Sequence, residues 1–330
     1  MKPPQIVAAI TSAWRRQKGA ELQVRSIERL SAGASAQTWR VSTVTAGDAQ
    51  DLVLQLFAGQ EQLTGALRKV EQGRVQQAAY LAGVPTPEVL LTLEPEDGLN
   101  DGFVSRYTPG ETLGKRIASD ARFGEARVHL TEQCARVLAQ IHELPLSSFP
   151  RLCHRPVHTQ LEELAHLHRT VGDALPAFEF ALRWLKAHLP PAVPPRVVHG
   201  DFRNGNLIVD ERGLVAVLDW EMAHLGDPLE DLAWLCLRPW RFGQGARAVG
   251  GFGERAELYE RYVRYGGERP QATVLKFWEV FGTLKWGVIC QWFARQFVTG
   301  EVRVLERAAI GRRTSEAELD LVELIEGHDD

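Results

Sequence analysis

The chain has 330 residues, a formal net charge of −4, 45% hydrophobic and 24% charged residues. That is enough to bury a full core and build two lobes, and it lacks the basic excess that marks a nucleic-acid partner. Cys134, Cys153, Cys236 and Cys290 lie far apart with no C-x-x-C spacing, which signals neither a zinc site nor a disulfide framework and suits a reducing cytoplasm. The opening MKPPQIVAAITSAWRRQKG has a polar-interrupted apolar face instead of a signal-peptide core, and no run reaches membrane-spanning length. The expectation is a soluble, unprocessed cytoplasmic protein with no membrane partner; oligomeric state is not legible.

In chain order, residues 6–17 read as an amphipathic helix with Ile6, Ile10, Ala13 and Trp14 on one side. Strands follow over 22–30, 38–44 and 52–57, then a helix over 61–82 and strands over 88–93 and 103–106. Between the first two strands, residues 31–36 are a run of small residues around Gly33 and Ser35. An ordinary hairpin turn explains them, and so does a loop whose bare amides approach phosphate oxygens. Pro109-Gly110 breaks the pattern; beyond it, residues 128–144 and 160–167 have helical spacing, and 316–330 read as an acidic amphipathic helix. The fold class expected is α+β, strand-rich over 1–108 and mainly helical over 109–330.

The chemistry concentrates in VVHGDFRNGNLIVDERGLVAVLDWE, residues 197–221. Residues 207–209 and 214–218 are apolar runs around Asp210 to Gly213, a β-hairpin pattern. Pairing those strands brings Asn206 near Asp219, and Gly200 and Gly205 let the preceding loop turn Asp201 toward both. Oxygen ligands of this kind suit a hard cation such as Mg²⁺. Asp219 and Asn206 would hold it, leaving Asp201 to orient an attacking hydroxyl and accept its proton. Any one such residue near a turn is explained by local backbone capping; the spacing of the set carries the inference. Asp227, Pro228 and Glu230 read as an N-cap, a first-turn proline and a capping box. Asp231 on the next turn is either structural or in touch with the Asp201 loop. His142 reads as a helix-end residue bonding terminal carbonyls.

H-G-D-x-x-x-x-N, a hydrophobic hairpin, L-D-W-E and then G-D-P-x-x-D-L-A resemble the aminoglycoside phosphotransferase and choline kinase family, relatives of the protein kinases. The resemblance implies a two-lobed protein-kinase-like fold, with a small antiparallel-sheet nucleotide-binding lobe over 1–108 and a larger helical lobe over 109–330. It also implies ATP or GTP with Mg²⁺ as cofactors and transfer of the γ-phosphoryl group to a small-molecule hydroxyl. By position, Asp201 resembles the catalytic base, and Asn206 and Asp219 the metal ligands. Glu221 matches an often acidic position and is either a further ligand or a solvated charge. His199 is implied as a structural residue bonding backbone near Asp219.

The small-residue loop with Gly33 and Ser35 occupies the place where the family covers the nucleotide phosphates. Backbone from Ser105 to Tyr107 lies where it recognises the purine. The chain departs from the pattern at Gln55, where the family usually has a Lys or Arg that pairs with phosphates and with a helix carboxylate, here assigned to Glu71. Arg68 or Lys69 could stand in for that missing charge. The acceptor pocket is expected from the Trp-rich C-terminal region and the 238–243 segment, with the acceptor an aminoglycoside-like molecule, an amino alcohol or another metabolite. An inactive nucleotide-binding protein is the alternative that Gln55 motivates. Gly200 and Trp220, standing where protein kinases have Arg and Phe, disfavour a Ser/Thr protein kinase.

Overall fold

The computed structural model describes residues 3–327 apart from 32–35, 46, 58, 60, 61, 100 and 173. α1 (Pro3–Lys18) buries Ile6, Ile10, Ala13 and Trp14 on one side, as a repeat of 3.6 residues requires. β1 (Gln23–Ser31), β2 (Ala36–Thr45) and β3 (Asp48–Phe57) form an antiparallel meander. After α2 (Lys69–Leu81), β4 (Val89–Leu93) and β5 (Gly102–Arg106) complete a five-stranded sheet in the order β1-β2-β3-β5-β4. Leu52, Leu54 and Leu56 alternate along β3 and pack in one apolar cluster with α1, where each fully buried leucine contributes about 2 kcal/mol. Period-two alternation turns Gln55 to the opposite face, beside its cross-strand partner Phe103. α2 covers that face, and its Gly73 lies so close to Phe103 that a Cβ would come within 2.8 Å of the Phe103 Cβ.

The helix expected over 61–82 starts only at Lys69. Gly65 has φ +86°, a left-handed conformation that interrupts a right-handed helix. Residues 62–68 instead form a strap to the other lobe: the Leu67 amide donates to Glu221 O at 2.7 Å, and Arg155 Nη1 donates to Thr64 O at 3.2 Å. Asp101 then starts the helix by accepting the Lys69 and Val70 amides, at 3.0 and 2.8 Å, in the manner of an N-cap supplied from elsewhere in the chain.

Past the sheet come α3 (Gly114–Ser119), α4 (Gly124–His142), α5 (Val157–Val171) and α6 (Pro176–Ala187). β6 (Arg196–Val198), the hairpin of β7 (Leu207–Asp210) and β8 (Gly213–Val217), and β9 (His224–Gly226), which pairs with β6, follow. α7 (Leu229–Cys236), α8 (Arg255–Arg264), α9 (Ala272–Val298), α10 (Leu305–Gly311) and α11 (Thr314–Glu326) complete the larger lobe. One apolar cluster runs from α4 under the hairpin to α7 and α8, and a second joins α5, α6, α9 and α11. This is the α+β, two-lobed arrangement expected. Among the described residues, no helix is long and apolar enough to cross a membrane, and the four cysteines are free thiols.

Candidate active site

The loop between β6 and β7 is held by its own imidazole and by a carboxylate from α7. Gly200 has φ +77°, and a Cβ there would meet Met222 O at 2.3 Å, so only glycine fits this bend. His199 is fully buried. Its Nε2 donates to Leu218 O at 3.0 Å, which leaves Nδ1 to accept the Asp201 amide at 3.3 Å. Burial lowers its pKa and keeps the ring in the neutral form that this pairing needs. Asp231 accepts the amides of His199 and Gly200 at 2.8 and 2.9 Å. Behind it, His142 Nε2 donates to Asp231 Oδ2 at 3.2 Å, and the Tyr262 hydroxyl donates to His142 Nδ1 at 2.8 Å. His142 therefore does not bond helix-terminal carbonyls; it braces the carboxylate that grips the loop.

Asp201 emerges from this loop already oriented. Its Oδ1 accepts from Trp234 Nε1 at 2.7 Å and from Arg203 Nε at 3.0 Å, and its Oδ2 accepts from Asn206 Nδ2 at 2.6 Å. The same Asn206 amide nitrogen donates to Asp201 O at 2.9 Å, so the carbonyl oxygen Oδ1 of Asn206 is the atom left over for another partner. The hairpin delivers Asp219 beside it: Leu207 pairs with Val217, and the Leu218 amide donates to Asn206 O at 2.8 Å. Asp219 sits in left-handed backbone, φ 63° and ψ 66°, uncommon for a residue with a side chain. Burial, reinforced by the Glu221 charge, pushes its carboxyl well above the usual range, against an opposing pull from Lys69. A half-buried carboxylate crowded by other negative groups, next to an amide oxygen to which none of the described residues donates, is a set that a hard divalent cation satisfies. The residues present therefore fit Mg²⁺.

The other site residues separate into those turned toward this volume and those that are not. Glu221 is tied to Lys69, whose Nζ lies 2.6 Å from Glu221 Oε2 and 2.8 Å from Gln72 Oε1. Gln72 Nε2 in turn faces Asp219 Oδ1 at 3.4 Å. Glu71 points away and bonds Arg74 and Arg151 at 2.6 and 2.7 Å, so the α2 side chains facing the site are those of Lys69 and the neutral Gln72, not that of Glu71. Gln55 is half-buried on the cleft face of β3. Ser105 is buried in β5 between Val53 and Val89. The Tyr107 amide is spent on Asp51 O at 3.0 Å and that of Arg106 on Glu88 O at 2.8 Å, so the linker free of the sheet starts at Thr108. Gly33 and Ser35 lie outside the described residues.

Sequence reasoning missed Gln72 and Arg203 as parts of the site, and placed Trp234 only among the tryptophans of the acceptor region, not as a donor to Asp201. Arg203 was recoverable as the cation two residues after Asp201, and its guanidinium also stacks over Trp240 at 4.6 Å. Glu230, read as a capping residue, is instead buried with Gln160 and His224, each 3.2 Å from its Oε2, and Lys285, 3.4 Å from its Oε1. Lys285 links this cluster to the loop, with Nζ 3.4 Å from Gly200 O and over the Trp234 ring. Beside it opens a cleft with Leu63, Leu164, Leu167, Met222, Phe281 and Ile289 as apolar walls and Arg155, Glu163 and Lys285 among its polar lining.

The family model described as phosphotransferase enzyme family matches residues 26–267. The chain belongs to this family. Among solved structures, the phosphotransferase fold here is similar to a putative aminoglycoside phosphotransferase from Ralstonia eutropha JMP134, with a TM-score of 0.74 and 22% identity over 97% of this chain and 98% of that one. It is also similar to a thermostable mutant of aminoglycoside phosphotransferase APH(4)-Ia in a ternary complex with AMP-PNP and hygromycin B, with a TM-score of 0.62 and 19% identity over 96% and 98% of the two chains. At these identities the likeness speaks for the fold. Among curated proteins, acyl-CoA dehydrogenase family member 10 of Mus musculus is 33% identical over 173 residues, 50% of this chain. Family member 11 of Gallus gallus is 34% identical over 175 residues, 48% of this chain. The phosphotransferase chain spans only 16% and 22% of those two relatives.

Proposed function

We propose that this phosphotransferase moves the γ-phosphoryl group of ATP to a hydroxyl of a small molecule, with Mg²⁺, in a cytoplasmic setting that suits its free thiols. The observation that carries the reading is the convergence of Asp201, Asn206 and Asp219 at the ends of one hairpin, with Asp201 fixed from three sides. In the reaction, the acceptor oxygen bonds to the γ phosphorus, the bridging P–O bond to the β phosphate breaks, and the acceptor's proton passes to the Asp201 carboxylate. Asn206 Oδ1 and the Asp219 carboxylate would hold the metal ion, which when bound neutralises phosphate charge. Trp234 and Arg203 orient the Asp201 carboxylate, and His199, Asp231 and His142 hold the loop under it. The linker from Thr108 onward is the place for a purine edge; backbone recognition of this kind leaves GTP as a second donor to test.

The cleft beside Lys285 is the acceptor site in this reading. Its aliphatic walls suit an alcohol carried on an apolar chain better than a polycationic sugar, and its cations sit in ion pairs, Arg155 with Glu163 and Lys285 with Glu230. The names of the curated relatives give hydroxylated acyl thioesters as the first members of a test panel. That panel, with amino alcohols and aminoglycosides beside them, is screened for ADP release with ATP and Mg²⁺. Turnover on one class that disappears in Asp201→Ala supports the proposal; turnover undiminished in Asp201→Ala overturns it. Gln55 and Gln72, both neutral, favour one second reading, a nucleotide-binding protein without turnover. ATP binding with no ADP release on any panel member would select it.

A further inference from the structure

A triphosphate brings several negative charges into a site that already holds Asp201, Asp219 and Glu221, so cations must offset them. Gln55 on β3 and Gln72 on α2 carry none. Arg203 is engaged with Asp201 and stacked on Trp240. Arg68 is turned to Asp101, 3.5 Å away, and is mostly exposed. Lys69 differs from these: its side chain is 1% exposed, its ammonium contacts Glu221, and Gln72 bridges it to Asp219. The Asp101 cap fixes the first turn of α2 in the orientation that sends this side chain inward. Burying an ammonium for structure alone is expensive, and a pairing that spans the two lobes beside the candidate metal ligands places it where phosphate oxygens would arrive.

We propose that Lys69 is the phosphate-binding cation of this protein, contributed by the start of α2 in place of a charged residue at Gln55, with Glu221 as its counter-ion in the nucleotide-free state. The inference rests on the kinase reading above. Its content is that the ammonium turns from Glu221 toward the β and γ phosphates when nucleotide binds, so that Lys69 and Glu221 form an exchangeable pair and not a fixed brace.

The experiment is a calorimetric comparison of ATP, ADP and adenosine binding, with Mg²⁺ present, for wild type, Lys69→Met, Glu221→Gln and the double variant. Lys69→Gln and Lys69→Arg serve as further variants that keep a polar end at this buried position. Charge-assisted contacts to phosphate predict ATP affinity about tenfold or more weaker in the double variant than in Glu221→Gln, with adenosine affinity unchanged and substantial recovery in Lys69→Arg. If Lys69 served only to neutralise Glu221, the double variant would bind ATP as tightly as wild type, and that result overturns the inference. Equal loss of adenosine and ATP in Lys69→Gln overturns it too, as a fold effect. Wild type that binds no nucleotide would instead remove the kinase reading itself.

Discussion

The indole N–H of Trp234 donates to Asp201 Oδ1 at 2.7 Å. The carboxylate assigned to the acceptor's proton is thus aimed before any acceptor arrives, by a residue on α7 that is itself buried among aromatic rings. Preorganisation of this kind removes a search the site would otherwise make at each turnover. Replacing Trp234 by Phe keeps the packing and deletes the donor. The expected outcome is a fall in turnover of roughly tenfold with ATP affinity unchanged, measured by ADP release and calorimetry.

Asp201→Asn tests the base directly. It keeps the size of the side chain and removes its basicity, and turnover should drop by about 10²-fold or more while nucleotide binding persists. Steady-state ADP release and ATP titration on the same preparation separate the two effects.

Asp231→Asn tests the support beneath the loop. The carboxylate is fully buried and takes the amides of His199 and Gly200 while facing His142. Asparagine can accept only at one oxygen, so the variant should lose roughly 3 kcal/mol of stability, read from chemical denaturation. Turnover should fall alongside, because the loop carrying Asp201 is less firmly fixed.

Glu230 gives a pH prediction. Burial alone would raise its carboxyl, but His224 and Lys285 outweigh it and hold the pKa down to about 2. A folded-state pKa below the unfolded value means the stabilisation is present above the unfolded value and is lost as pH falls through the folded one. The stabilisation, on the order of 3 kcal/mol, should therefore decline between pH 4.5 and 2. In Glu230→Gln this part of the acid denaturation curve should flatten, at the cost of lower stability at neutral pH.

The metal-holding roles proposed for Asn206 and Asp219 predict a dependence on Mg²⁺. Chelation with EDTA should abolish ADP release and excess Mg²⁺ restore it, whereas Asp219→Asn should demand much higher Mg²⁺ for any residual rate. Titrating activity against free Mg²⁺ checks both.

The strands and the hairpin were legible because alternation and turn residues are local signals, and the 207–217 pairing made Asn206 and Asp219 neighbours without further information. The order of the sheet, the start of α2 and the inward face of that helix were less so. A helix turns about 100° per residue, so choosing Glu71 over Gln72 needs the register against the sheet, which the buried mix of Lys69, Gln72, Gly73 and Gln76 conceals. The assembly of His142, Asp231 and His199 joins α4, α7 and a loop far apart in sequence, and only folding brings such partners into one place. The strap over 62–68 was hidden because its helix-forming composition is overruled by Gly65 and by contacts to the other lobe.

That strap has a consequence for how such a protein can change its acceptor. Leu63 and Thr64 belong to the segment that leads from the sheet into α2, yet they line the cleft beside Lys285. Three residues later the same segment is anchored to Glu221 through Leu67. Grafting a foreign helical lobe onto this sheet would therefore carry over only part of a new substrate preference. If that cleft receives the acceptor as proposed, the remaining part is written in Leu63 and Thr64 of the strap, so the two lobes must diversify together.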